Sequence, residues 1–163
     1  MSATQTSDRA AEPATELGPL RVFRIVAVAE AMTWAGLLVG MFLKRVTDTT
    51  DLGVQVFGPI HGVAFLAYVL VTVAVAVDQR WSVGRTLLGL AAALPPFFTV
   101  LFDAYAEKRG LLGTSWQSRA DSASRGQRAV CWLLRNRVRA LVVFVAVLAV
   151  LTAAALIAGP PVG

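Results

Sequence analysis

Residues 54–77 read VQVFGPIHGVAFLAYVLVTVAVAV, a run with no Asp, Glu, Lys or Arg. As a helix it extends ~36 Å at 1.5 Å per residue, more than the hydrocarbon core of ~30 Å that ~20 helical residues cross. Working outward, three more stretches are apolar over similar lengths, 22–43, 83–102 and 140–158. In lipid every backbone N–H and C=O needs an internal partner, which short connections between such stretches supply through helices rather than open strands. The expected fold class is all-α, a polytopic membrane helical bundle with a three-helix core and a fourth, C-terminal transmembrane helix.

Composition agrees. Of the 163 residues 56% are hydrophobic and 15% charged, a balance outside the range of ordinary water-soluble domains. Cys131 is the only cysteine, so an intrachain disulfide, a CxxC pair and a cysteine zinc cluster are all excluded. The expected organisation is a disordered N-terminal tail over 1–19, a three-helix membrane domain over 20–110, a basic linker over 111–139, and a C-terminal transmembrane helix with a short tail over 140–163. The first apolar stretch is too long for a signal-peptide core and lacks a cleavage pattern, so it is expected to remain as an anchor. The expected location is the bacterial plasma membrane, crossed several times.

The connections differ in charge. Those over 44–53 and 78–82 are short enough to make the first three stretches antiparallel neighbours. The connection over 103–139 carries eight basic residues against Asp103, Glu107 and Asp121, a surplus that matches the chain's formal charge of +5. By the positive-inside rule it is expected on the cytoplasmic side together with Lys44 and Arg45, with both termini outside, while Arg21, Arg24, Arg80 and Arg85 pull the other way. Residues 125–139 interleave arginines with Trp132, Leu133 and Leu134. That pattern suits either plain topology signalling or an interfacial helix on anionic lipid. Nothing matches a nucleic-acid-binding module, so the expected partners are the lipid bilayer and either a second copy or a larger membrane complex, with no nucleic acid.

Five segments carry a family resemblance: RVFRIVAVAEAM (21–32), FLK (42–44), FGPIHGVAFLAYV (57–69), RWSVGRTLLGL (80–90) and LPPFFTVLFD (94–103). Over 20–110 the chain resembles an uncharacterised bacterial membrane family, domain of unknown function 3817, with GPIHG ahead of RWSxGR as the most specific element. The resemblance implies a three-helix membrane unit, assigns no activity, and leaves the basic linker and fourth helix outside the pattern.

Ionisable side chains inside membrane segments are costly and point to partners or function. Three qualify: Glu30, His61 and Arg85. Glu30 lies ~12 Å into the first helix, on a face with Thr33, Gly36 and Gly40, and the second helix has a comparable face with Gly58, His61 and Gly62. The GxxxG spacings at Gly36/Gly40 and Gly58/Gly62 allow close backbone approach, so these four are the expected packing contacts. A direct Glu30–His61 dyad is not expected, because the helix bounds leave an axial gap of ~9–17 Å. Arg85 is the expected ion-pair partner of Glu30, with Arg24 or Arg80 as alternatives. Pro95 and Pro96 remove two backbone donors and predict a helix break. His61 is then expected either to satisfy a carbonyl freed there or to sit near Lys44 at a helix start at Pro59. A lone histidine makes a poor metal site, so no metal and no cofactor is expected. No nucleophile with its base, no carboxylate pair and no phosphate loop can be assembled. The sequence therefore points to a nonenzymatic membrane or complex-associated component. The alternative is a small-molecule or proton-coupled carrier using the Glu30, His61 and Arg85 cluster.

Overall fold

The structure is a computed structural model that describes residues 18–116 and 137–158. The described residues form five α-helices: α1 (Pro19–Arg45), α2 (Leu52–Asp78), α3 (Val83–Ala91), α4 (Phe98–Lys108) and α5 (Arg137–Ala158). Of these, α1 and α2 are long and apolar enough to cross a membrane.

Pro19 starts α1 at a position where its missing N–H is not needed. At the other end Lys44 and Arg45 occupy the last turn, where cations complement the helix dipole. The chain then reverses within six residues, with Asp48 in the left-handed region at φ 48°. The Thr47 hydroxyl donates to the Leu43 carbonyl at 2.9 Å.

The α1–α2 contacts keep one antiparallel register. Gly40 lies on Gly53, Gly36 lies under the Phe57 ring, Thr33 meets His61, and Phe23 meets Tyr68. Gly53, Phe57 and His61 are spaced four apart and share one face of α2. Gly58 and Gly62 are each offset by about 100° from it, and a Cβ at either would meet no atom within 4 Å. This corrects part of the expected packing: Gly36 and Gly40 do pack, but against Gly53 and Phe57. The second GxxxG faces away from α1.

The largest departure from expectation is at 83–102. Instead of one helix there are two short ones, of 9 and 11 residues, or ~14 and ~17 Å, each about half of a bilayer core. Ser82 caps α3 by accepting from the Arg85 N–H at 3.4 Å. Beyond Ala91 the ladder tightens, with Ala93 N–H donating to Leu90 and Leu94 N–H to Ala91. Phe97, at φ 67°, then redirects the chain into α4.

The returning helix runs back towards the start of α1. Near the break Thr99 meets Ala27 and Glu30. Further along, Asp103 and Glu107 meet Arg24. Beyond α4, Leu111 accepts from the Trp81 indole at 2.8 Å, Gly113 N–H donates to Gln79, and Leu20 N–H donates to the Gly113 carbonyl. Residues 109–116 therefore lie at the end where α1 starts and α2 finishes. The expectation that the connection after 103 joins Lys44 and Arg45 is corrected, because α3 and α4 form a hairpin that enters and leaves at the opposite end.

Most tight packing is at this crowded end. Phe23, Tyr68, Val75, Phe102, Ala106 and Leu112 are buried together, with Trp81 and Phe144 of α5 packed against them. The segment 111–116 thus belongs to the packed unit rather than to a free linker. The legs of the hairpin diverge, α3 against α2 and α4 against α1, leaving an apolar groove lined by Leu88, Pro95, Phe98 and Tyr105. Residues 1–17 of the expected tail, most of the expected interfacial helix and Cys131 lie outside the described residues.

Close approach at Gly40 is testable. A Cβ there would stand 2.6 Å from the Gly53 backbone, so Gly40→Ala is expected to lose about 1–3 kcal/mol, the range for overpacking. Gly62→Ala is expected to stay within ~0.5 kcal/mol of the parent. Thermal unfolding in detergent distinguishes the two, and equal losses would contradict the register.

Candidate functional site

Buried and half-buried polar groups between α1, α2 and α4 form a short chain centred on Glu30. Glu30 is fully buried. Its Oε2 lies 2.6 Å from the Thr99 hydroxyl, which also lies 3.1 Å from the Ala27 carbonyl. One turn along α1, the Thr33 hydroxyl donates to the Glu30 carbonyl at 2.8 Å, and Nδ1 of His61 is 3.1 Å from the same oxygen. Thr33 has a single hydroxyl proton and gives it to Glu30, so the His61 contact is satisfied by Nδ1–H donating to Thr33. The Trp34 indole stacks obliquely on the imidazole with ring centres 4.6 Å apart.

The expected Glu30–Arg85 ion pair does not form. Arg85 is exposed near the start of α3, and among the described residues no cation pairs with Glu30. The physical reason is the helix break. An unbroken third helix would carry Arg85 along the core on one straight axis, whereas the hairpin brings the second leg, α4, against α1 and gives Glu30 a hydroxyl instead.

Arg24, named as an alternative partner, is taken by α4. Its Nε lies 2.9 Å from Asp103, and its Nη2 pairs with Glu107.

His61 also lies elsewhere than expected. Helix α2 runs through Pro59 and starts at Leu52, which moves His61 along α1 to the level of Thr33 rather than to the Lys44 end. No direct Glu30–His61 hydrogen bond exists, as expected, but the axial gap is far smaller than the helix bounds suggested. Thr33 and Trp34 are the residues between them.

The carbonyls around the break are satisfied without His61. Because Ala93 N–H turns to Leu90, the Gly89 carbonyl loses its helical donor, and the buried Tyr68 hydroxyl supplies one at 2.9 Å. Pro95 and Pro96 do sit at the break, between α3 and α4.

Thr99, Asp103, Tyr68 and Gly53 are the participants that sequence reasoning missed. Asp103 had a visible signal, an acid five residues into an apolar helix. Thr99 had only its place just past the two prolines.

Comparison with known proteins bears on this arrangement. The family model described as Domain of unknown function (DUF3817) matches residues 20–108. The chain belongs to the DUF3817 family. The matched residues include Glu30, His61, Tyr68, Thr99 and Asp103, so the whole polar chain and the hairpin lie within the family unit. A Streptomyces coelicolor protein named "Putative membrane protein SCO5905" is 49% identical over 112 residues. The match covers 68% of this chain and 13% of that protein. No solved structure matches the chain.

Chemically, the site offers one carboxyl group, two hydroxyls, an imidazole and an indole, buried at Glu30 and Thr99 and half-buried at Thr33, Trp34 and His61. Its stability role is testable at Tyr68. Tyr68→Phe leaves the buried Gly89 carbonyl without a donor and is expected to lose about 1–3 kcal/mol. Arg85→Ala is expected to change stability by less than ~0.5 kcal/mol. Chemical denaturation in mixed micelles reads both, and a loss at Arg85 equal to that at Tyr68 would contradict the assignment.

Proposed function

We propose that the protein is a nonenzymatic, multi-pass component of the bacterial cell membrane that works in association with a larger membrane protein. In this reading α1, α2 and α5 cross the bilayer and the α3–α4 hairpin is re-entrant. Non-helical backbone at membrane depth is tolerated where protein buries it, and the hydrogen bonds around Gly89 to Phe98 fit that condition. The outward surfaces suit lipid, since Ile25, Met32, Val39, Phe42 and Ile60 are exposed.

The charge distribution supports an orientation. Arg21, Arg24, Arg80, Arg85, Lys108 and Arg109 gather at the crowded end, against Lys44 and Arg45 at the other. The positive-inside rule then makes the crowded end cytoplasmic, the reverse of the expectation drawn from an unbroken third helix.

The observation that carries the association is the size of the relative. The match covers 68% of this chain yet only 13% of that protein, so the same unit exists elsewhere as a small part of a far longer chain. Covalent joining replaces affinity by high effective concentration. The open Gly58 and Gly62 positions on α2 supply small-residue packing of the kind membrane helices use to join a partner. A carrier is the second reading, favoured by a buried carboxyl group beside a helix break.

Affinity purification from native membranes in mild detergent, read by quantitative mass spectrometry, tests association. A larger membrane protein is expected to co-purify in fixed ratio. The Gly58→Ile/Gly62→Ile double variant is expected to reduce its recovery about tenfold, equivalent to ~1.4 kcal/mol, with an unchanged elution profile for the purified chain. Recovery of the chain alone, at monomer mass, would contradict the proposal.

A further inference from the structure

The Thr99 hydroxyl stands between two acceptors, Glu30 Oε2 at 2.6 Å and the Ala27 carbonyl at 3.1 Å. A hydroxyl has one proton to give. If the carboxyl group were ionised, both groups would be competing for that proton. If Glu30 carries a proton of its own, the chain closes: Glu30 O–H donates to Thr99, and Thr99 O–H donates to Ala27. We propose that Glu30 and Thr99 form an intramembrane proton-binding site, with the bound proton holding the tip of the α3–α4 hairpin against α1.

The surroundings point the same way. Glu30 is 0% exposed, and its second oxygen, Oε1, has no hydrogen-bond partner. A buried charge of this kind neutralises unless it is paired.

Among the described residues, no charged or titratable group nearby supplies a countercharge. On α1, Arg24 is engaged by Asp103 and Glu107. From α2, His61 meets Thr33 and Trp34 rather than the carboxyl group, and the Tyr68 hydroxyl is given to Gly89. From α4, Asp103 lies one turn beyond Thr99 and adds negative charge that Arg24 offsets. Arg85, the charged group of α3, is exposed.

This site is independent of the proposed association, since it uses only contacts inside one chain. The ligand is a proton. The geometry further implies that removing it leaves a bare carboxylate at the hairpin tip, where Thr99 must abandon Ala27 to answer it.

Infrared spectroscopy of the full chain in lipid bilayers at pH 7 reads the proton directly. The carbonyl stretch of an un-ionised carboxylic acid is expected in the parent, absent in Glu30→Gln and shifted in frequency in Thr99→Val. The isosteric Gln variant is expected to elute as the parent does. Should it fail to fold, the Thr99→Val shift still assigns the band. A parent spectrum showing only ionised carboxylates at pH 7, or a band unmoved by both substitutions, overturns the proposal.

Discussion

Pro95 and Pro96 remove two consecutive backbone donors from a stretch whose neighbours are almost all apolar, and a helix cannot continue through that gap without stranding carbonyls. In water the stranded groups would be solvated. Here they are handled inside the chain: the ladder tightens through Leu90 and Ala91, Phe97 takes a left-handed conformation, and the polypeptide turns back. The return of α4 depends on that turn. So do the Arg24 pairs with Asp103 and Glu107, the Thr99 contact with Glu30, and the gathering of 109–116 beside Trp81 and Leu20.

The all-helical class was legible because apolar length is a strong signal, and the break was legible because proline acts through the covalent backbone. The direction taken after the break was not. A run such as 83–102 has the same composition whether it crosses or returns, and the difference lies in long-range contacts such as Thr99 with Ala27. The expected partner of Glu30 follows from that choice: a straight third helix offers Arg85, with Arg24 or Arg80 as alternatives, whereas the returning leg offers Thr99. The packing glycines divided for a similar reason. Gly36 and Gly40 lie on the inner face of α1, whereas the choice between Gly53 and Gly58 on α2 depends on a register set by the turn at 46–51 and by a helix that runs through Pro59.

The hairpin also changes the meaning of the charges. With a crossing third helix, the basic connection opposes Arg21, Arg24, Arg80 and Arg85. With a returning hairpin Lys108 and Arg109 share one end with Arg21, Arg24, Arg80 and Arg85, and Lys44 and Arg45 are left at the other. The same geometry accounts for the contrast between the ends. The crowded end has aromatic packing through Phe23, Trp81 and Phe102 with ring centres about 6 Å apart. The Lys44 end is a short turn.

The central claim is that the chain comes back to the side it left. Single cysteines at Ser82, Thr114 and Thr49, each in a Cys131→Ser background, can be labelled by a membrane-impermeant maleimide in sealed vesicles of known orientation. Ser82→Cys and Thr114→Cys are predicted to react from the same side and Thr49→Cys from the other. Labelling of Thr114→Cys from the Thr49 side, opposite to Ser82→Cys, would show a crossing third helix and contradict the account.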